Sequence, residues 1–586
     1  MRTTRAICGG SGCLRVGAAG LCSGLWPHFL PTPRGTMTTV NDGPLCFGQY
    51  INGQTIDPTC QGGTPDKGAV PVVSPATNQP VLHFVPSTDN DVDHAIQAAH
   101  DAFHARDTDA TAWSHPSQMS RRSAVLNSIA ALLRQNTERL ADLEVVQIAR
   151  PKKEMRFQLS RLPEWFEYYA SLIRVHEDSI KPFGPGYLNI TKRVPLGVIA
   201  QITPFNHPLL ITIKKLAPAI AAGNCVVVKP SEQAPASIVE LAKLCGEAGL
   251  PPGVFNVVLG GKEVGERLVS DERISKVDFT GGPAVGRSIG AAAGANLCAV
   301  TQELGGKASM IVFGPPGAED CAATYSEEGL DSYLTPIVNG NAFGAFIASG
   351  QTCIAGTRII VHESVYDVFK RKLVEKTKVF SMGDPELMET TIGPVITKKH
   401  LTFIESCVEE GLQDPSLELL CGGKRYTGFV GDEEHLNEGN FFEPSVIAAR
   451  KDVSMNAEAV AELHKRNILF QTELFGPIVL LIPFKTRQEA IDLANDSQFG
   501  LGCSIWTNDL AEAHSVADAI HAGIVWLNDH HKNGPSSPWG GLKKQSGTGR
   551  ENGIEAYHEY TQAKNIVFNT NRFTSDWFSD PNARYN

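Results

Sequence analysis

The chain has 586 residues, 42% of them hydrophobic and 20% charged, with 52 Lys and Arg against 63 Asp and Glu. This composition excludes collagen-like and disordered chains, and a formal net charge of −11 excludes a protein built mainly to neutralise nucleic-acid phosphate. No apolar run reaches the roughly eighteen residues of a membrane-spanning helix, so no membrane partner is expected. The length suits about three or four structural units. Its 13 cysteines are scattered, odd in number and without a C-x-x-C pair. Free thiols in a reducing compartment are therefore expected, not a disulfide framework or a zinc site.

Residues 1–41 contain Arg2, Arg5, Arg15 and Arg34 and no acidic residue, Asp42 being the first. An Arg-containing, acid-free start fits a mitochondrial transit peptide. The alternative is that translation begins at Met37 and that residues 1–36 are a tail outside the fold. The protein is accordingly expected in the mitochondrion or the cytoplasm.

From Leu45 to about Ser179 the pattern is helical. Val92, Ile96, Ala99 and Phe103 recur at helical spacing behind Asp91, the expected N-cap. Ala124–Ile148 reads as one long amphipathic stretch, and Trp165–Ile173 as an aromatic-rich helix whose stripe belongs to the core. Between Val194 and Gly294 short apolar runs (Val198–Ile202, Cys225–Val228, Phe255–Leu259, Val277–Phe279) alternate with helical ones (Leu209–Ala221, Ala236–Ala248, Val264–Ser270, Val285–Ala293). That alternation predicts βαβ units and a parallel sheet covered on both faces.

In such sheets ligands sit beyond the carboxyl ends of the strands. There the chain places Thr203-Pro-Phe-Asn206, Lys229-Pro-Ser-Glu232, Gly260-Gly261 and Thr280-Gly-Gly282. Lys229 and Glu232 can hydrogen-bond a ribose, or form an exposed ion pair at a helix start. Gly281 and Gly282 let backbone approach a pyrophosphate near a helix N-terminus, although the spacing is not G-x-G-x-x-G.

Two short strings concentrate the chemistry: Glu303-Leu-Gly305-Gly-Lys307 and Gly350-Gln-Thr-Cys353-Ile-Ala-Gly356. A thiol is a good nucleophile for a carbonyl carbon, and a nearby carboxylate can deprotonate the thiol or the water that releases the acyl group. Together with Pro204-Phe-Asn206-His-Pro, Val-Val-Lys229-Pro-Ser-Glu232, Glu473-Leu-Phe475-Gly-Pro, Pro538-Trp-Gly-Gly and Ser546-Gly-Thr-Gly-Arg-Glu551, these strings resemble the aldehyde dehydrogenase superfamily in its order, over about residues 48–567.

The resemblance implies an α/β fold. A Rossmann-type doubly wound nucleotide-binding domain would use residues 45–175 and 194–305, and an α/β catalytic domain 306–540. A small β oligomerisation element, 176–193 and 545–570, would make a homodimer or homotetramer. It also implies oxidation of an aldehyde to the carboxylic acid. Cys353 would be the nucleophile and Glu303 the base for water, while the Asn206 amide and the Cys353 N–H would hold the oxyanion. For the cofactor it implies Lys229 and Glu232 at the adenosine ribose, Gly282 at the pyrophosphate, and Glu473 and Phe475 at the nicotinamide end, with Thr203, Phe205 and Gly305 alongside. Glu232 favours NAD over NADP, because a carboxylate repels a 2′-phosphate. Glu303 itself favours release to water over transfer to coenzyme A.

The substrate pocket of the family falls at His207, Leu210, Ile211, Lys214, Thr352, Ile354 and Trp539. Trp539 offers a broad apolar wall for an aromatic or medium-chain aldehyde. Lys214 takes a place that is often aromatic in the family; it either attracts an acidic substituent or is a solvated lysine on the helix face. His530 and His531 are expected in a loop at the pocket rim, and no metal site is expected. Two apparent insertions depart from the family pattern, near Ser326–Asn339 and Val453–Phe470. The first would interrupt the helix leading to the nucleophile, and both read either as solvent-exposed excursions or as stretches of wrongly retained coding sequence. Should they disrupt the site, the alternative is an inactive, NAD-binding oligomeric member of the family.

Overall fold

The structure, a computed structural model, describes residues 45–56, 68–315, 326–450, 457–571, 577–579 and 581. The N-terminal stretch 1–36 lies outside them. Two large sheets organise the chain. In the first, eight strands lie in the order Gly547–Thr548, Ala299–Glu303, Ile274–Thr280, Val198–Ile202, Cys225–Lys229, Phe255–Val257, Tyr50–Ile51 and Gln54–Thr55. Its five central strands are parallel. Strands such as Cys225–Lys229 are buried along their whole length, as expected where helices cover both faces.

The second sheet has seven strands, ordered Leu417–Cys421, Ser445–Ala449, Ile478–Phe484, Arg358–His362, Ser309–Val312, Gly502–Trp506 and Ile524–Leu527. All are parallel except Leu417–Cys421 at one edge. Thr561–Asn569, Tyr187–Pro195 and Ser179–Lys181 form a small antiparallel sheet of three strands. The segment 545–570 does not stay together as read from the sequence. Gly547–Thr548 pairs with the end of Ala299–Glu303, and the helix Gly553–Glu559 sends Ala556 into the first core; only Thr561–Asn569 joins the small sheet.

The helices follow the apolar periodicity, with corrections at their ends. Asp89–His104 is capped by Thr88, whose side chain accepts from the Asp91 N–H while Asp91 accepts from the Thr88 N–H. Asp91 is thus the third residue of a capping box and not the N-cap. The stretch read as one helix over Ala124–Ile148 is two, Met119–Gln135 and Thr137–Ile148, parted at Asn136, whose side chain turns back to the Leu132 carbonyl. In Pro163–Val175 the aromatic stripe is core: Trp165, Phe166 and Tyr169 are each at most 2% exposed.

Both apparent insertions sit differently from the expectation. Glu327–Phe346 is one helix, capped by Ser326 and carrying Pro336 inside it, so the helix leading to the nucleophile is not interrupted. In the second, residues 453–456 lie outside the described residues. Ala457–Arg466 and Ile468–Gln471 are helical, and Val460, Leu463, Leu469 and Phe470 are buried in the core beneath the seven-stranded sheet. Within it His464, fully buried, meets Arg358 Nη1 through Nε2 at 2.9 Å and Asp496 Oδ2 through Nδ1 at 3.0 Å. This part is integrated structure, because burying that much apolar surface outweighs leaving it as a solvated excursion.

Candidate active site

The site assembles where the first sheet's strand ends meet a loop of the second unit. Helix Pro208–Ala222 begins at Pro208 with its fixed φ, and ends at Gly223 in the left-handed region (φ 97°). Its N-terminus is held by Glu144, whose Oε1 accepts from the Leu209 N–H at 2.9 Å and from the Ser237 hydroxyl at 3.1 Å. Burial pushes the Glu144 carboxyl up to about 7. This anchoring places Asn206 and His207 at the mouth of the helix.

The nucleophile loop follows Glu327–Phe346 through a kink in which Ala348 and Ser349 are left-handed (φ 54° each), followed by Gly350 at φ 71°. Non-glycine residues in this region carry strain, and it persists because the surroundings over-determine it. The Ser349 hydroxyl donates to the Gly393 carbonyl, and Gln351 Nε2 donates to the Pro394 carbonyl while its Oε1 accepts from the Ile396 N–H. Asn206 Nδ2 donates to the Gln351 carbonyl at 2.9 Å. The amide is thereby fixed two residues before Cys353, with its second N–H left over. Burial, with the Glu473 and Glu303 carboxylates near it, pushes the Cys353 thiol up to about 12.

Glu303 ends the strand Ala299–Glu303 and is 3% exposed, and among the described residues neither carboxyl oxygen has a hydrogen-bond partner. Burial is the main cause that raises its pKa well above the usual range; Glu551 adds to it, and Lys214 and Lys215 oppose it. Gly306 donates its N–H to Glu473 Oε1 at 2.9 Å, and burial holds Glu473 near 7. A methyl group on Gly305 would overlap the Glu473 carboxyl and the Phe499 ring, so a side chain here would displace Glu473. Phe475 is left-handed (φ 54°), its carbonyl accepts from His400 Nε2 at 2.8 Å, and its ring meets Phe205 edge-on with centroids 6.0 Å apart.

The other cofactor candidates lie along the strand ends of the first sheet. Thr203 donates its N–H to the Lys229 carbonyl. Lys229 Nζ donates to the Pro230 and Gly260 carbonyls at 3.0 and 2.7 Å, and burial brings its pKa down to about 8. The Glu232 carboxyl lies over Gly261. Gly282 is the N-cap of Pro283–Ala295 and faces open space.

In the pocket, Thr352 and Ile354 are buried, and Trp539 packs with Ile354, Leu501 and Trp526 beside Cys353. Lys214 is not solvated; it is 1% exposed, with Nζ 2.7 Å from Glu551 Oε2 and 4.3 Å from the centre of the Trp539 ring. Trp539 is therefore an aromatic wall carrying a cation. Nor are His530 and His531 rim residues. His530 is 1% exposed and bonds the Ile354 carbonyl through Nε2 at 2.7 Å, and His531 Nε2 bonds the Gly344 carbonyl at 2.9 Å.

Several contributors escaped the sequence reading. Lys215 joins Glu551 Oε1 (2.6 Å) to Asp278, which also accepts from the Tyr560 hydroxyl. Arg150 pairs with Glu154 and donates to His207 Nδ1 at 2.7 Å and to the Asn206 carbonyl at 3.1 Å. The available signal was the repeated charge of Lys214-Lys215 in an otherwise apolar helix, which demands buried counter-charges.

Comparison with known proteins agrees with this geometry. The aldehyde dehydrogenase family model matches residues 63–566. Betaine aldehyde dehydrogenase from Staphylococcus aureus, solved in complex with NAD+, is similar at 32% identity over 92% of this chain and 97% of that one, with a TM-score of 0.80. PnpE from Pseudomonas sp. WBC-3 is 34% identical over 92% and 100% of the two chains, with a TM-score of 0.79. An aldehyde dehydrogenase from Bacillus cereus is 30% identical over 89% and 96%, with a TM-score of 0.77. The chain belongs to the aldehyde dehydrogenase family, and its class of chemistry is the oxidation of aldehydes.

Proposed function

We propose that this chain oxidises an aldehyde to its carboxylic acid with NAD, using Cys353 as nucleophile, Asn206 as oxyanion donor and Glu303 as base. The observation that carries the reading is the unpartnered, buried Glu303 carboxyl near a thiol whose loop Asn206 holds. A buried acid with both oxygens unused is costly unless a reaction uses it.

The residues fit a dinucleotide. Gly282 leaves open space at a helix N-terminus, Lys229 and Glu232 sit at one strand end, and Gly305 clears room for Glu473. Lys229 and Glu232 would hold the adenosine ribose, Gly282 the pyrophosphate, and Glu473, Phe475, Thr203 and Phe205 the nicotinamide end. When bound, the nicotinamide supplies the acceptor for the two electrons removed from the aldehyde carbon. Glu232 disfavours a 2′-phosphate, so NAD is preferred to NADP.

Cys353 gives its proton to water, and the Sγ thiolate attacks the carbonyl carbon. The oxyanion of the thiohemiacetal meets the second N–H of Asn206 and the Cys353 N–H, which donates to no backbone carbonyl among the described residues. After oxidation Cys353 carries a thioester. Glu303 takes a proton from water, the water oxygen bonds to the acyl carbon, and the C–S bond breaks to release the acid and the thiolate. Residues 45–175 with 194–305 would carry the nucleotide and 306–540 the nucleophile. The small sheet would pair subunits into a homodimer or homotetramer; exposed Ile180, Tyr187 and Phe568 support this.

The test is NADH formation by the purified protein with aliphatic, aromatic and acid-bearing aldehydes, beside Cys353→Ala. Turnover that vanishes in the variant is expected. Folded, NAD-binding protein that oxidises none of them would overturn the reading in favour of an inactive binding member.

A further inference from the structure

Lys214 takes no part in these steps, yet it is one of the largest fully buried side chains in the molecule. It belongs to a chain of alternating charges: Lys214, Glu551, Lys215, Asp278. Two ammonium groups and two carboxylates balance, and Lys214 is the end that faces Trp539 and the nucleophile loop. An ammonium has three N–H donors and no acceptor. One meets Glu551 and one is directed at the Trp539 face. Among the described residues Lys214 makes no further ion pair or hydrogen bond.

A second donor stands at the start of the same helix. Arg150 Nη1, which can only donate, lies 2.7 Å from His207 Nδ1, with Gln158 Nε2 at 2.8 Å from the same nitrogen, so Nδ1 is the acceptor and the ring proton of the neutral imidazole is on Nε2. Burial lowers the His207 pKa well below its usual value, so that neutral form prevails. His207 is the N-cap and Lys214 lies in the second turn of the same helix, about 10 Å further along the axis. Leu210 and Ile211, half-buried, lie between them. The wall is a cation and a neutral N–H separated by an apolar step.

We propose that the aldehyde oxidised by this chain carries a carboxylate, which Lys214 receives as its third partner. The inference rests on Cys353 being the nucleophile of the reading above, and it names the substrate class of that site. The charged end settles against Lys214 and Trp539, and the short apolar spacer against Leu210 and Ile211.

Two measurements test it. The first compares kcat/KM for succinic semialdehyde with butanal and for glutaric semialdehyde with pentanal. A charge-assisted hydrogen bond predicts a preference of roughly 10- to 100-fold for the acid-bearing partner. In Lys214→Met the ratio of kcat/KM between each acid-bearing aldehyde and its neutral partner falls to about one, a comparison within one variant that a general loss of activity does not move. Equal or better use of the neutral aldehydes by the unaltered protein overturns the proposal without any variant having to fold. The second is independent of turnover: succinate, but not succinamide, is expected to raise the melting temperature and perturb tryptophan fluorescence. No discrimination between the two overturns the proposal even in a protein that oxidises aldehydes well. Succinate binding without oxidation would uphold the carboxylate site at Lys214 and count against the catalytic reading alone.

Discussion

Gly306 lies against Cys353 so closely that a methyl group on it would overlap the Cys353 carbonyl oxygen. The same glycine donates its N–H to Glu473. One residue of the Glu303–Lys307 string thus sets both the nucleophile loop and the carboxylate assigned to the nicotinamide end. Gly306→Ala is expected to lower kcat/KM by roughly 100-fold, since small misplacements of a nucleophile have effects of that order. Steady-state kinetics with a circular-dichroism control checks this; near-normal turnover would mean that the loop yields freely.

Glu303→Gln keeps the shape and removes the base. Deacylation is expected to slow by roughly 10²–10⁴-fold, while the rapid first turnover of NADH survives. Stopped-flow absorbance separates the two phases. Loss of the burst in parallel with the steady state would assign Glu303 to the attack step instead.

The Cys353 thiol, pushed up to about 12, is protonated at neutral pH. The thiolate is the reactive form, so below that value its fraction rises about tenfold per pH unit. Alkylation of Cys353 by iodoacetamide should therefore climb steadily from pH 7 to pH 10 with no plateau. Mass spectrometry of the labelled peptide reads it, and a plateau near neutrality would show that the neighbouring lysines outweigh burial.

His464 is held near 4 by burial first and the Arg358 guanidinium second. A depressed folded-state pKa means that its contribution is present above the unfolded value of about 6.5 and is lost as pH falls toward 4. His464→Gln should show a shallower loss of stability across that window, by about one proton, in urea melts at stepped pH. At pH 7 the same variant should be destabilised by about 1–3 kcal/mol, because Arg358 loses an acceptor. An unchanged midpoint would mean that the segment around it is not coupled to the core.

Replacing Glu232 by Gln should raise kcat/KM for NADP relative to NAD by roughly tenfold, by removing a like charge from the 2′ position. Parallel titration of the two cofactors checks it. An unchanged ratio would place the adenosine ribose away from this strand end.

Much of this protein could be read locally. The apolar runs Val198–Ile202 and Cys225–Val228 become strands within a residue of the reading, because a strand buried on both faces needs an uninterrupted apolar run. Cys353, Glu303 and Asn206 stand out because their chemistry is legible in short strings. What the sequence could not show was which charges would meet. Nothing local distinguishes a solvated Lys214 from one buried on Glu551, a contact 337 positions away in the chain. That pairing exists because the antiparallel bridge between Trp539 and Glu551 turns the carboxylate inward. The segment around His464 is similar: its spacing departs from the family pattern and reads as an excursion. Only packing against Arg358, Asp496 and the second core makes it part of the molecule. Periodicity and residue chemistry are properties of neighbours in sequence. Burial and charge pairing are properties of neighbours in space, and at this site they decide whether a lysine is surface or wall.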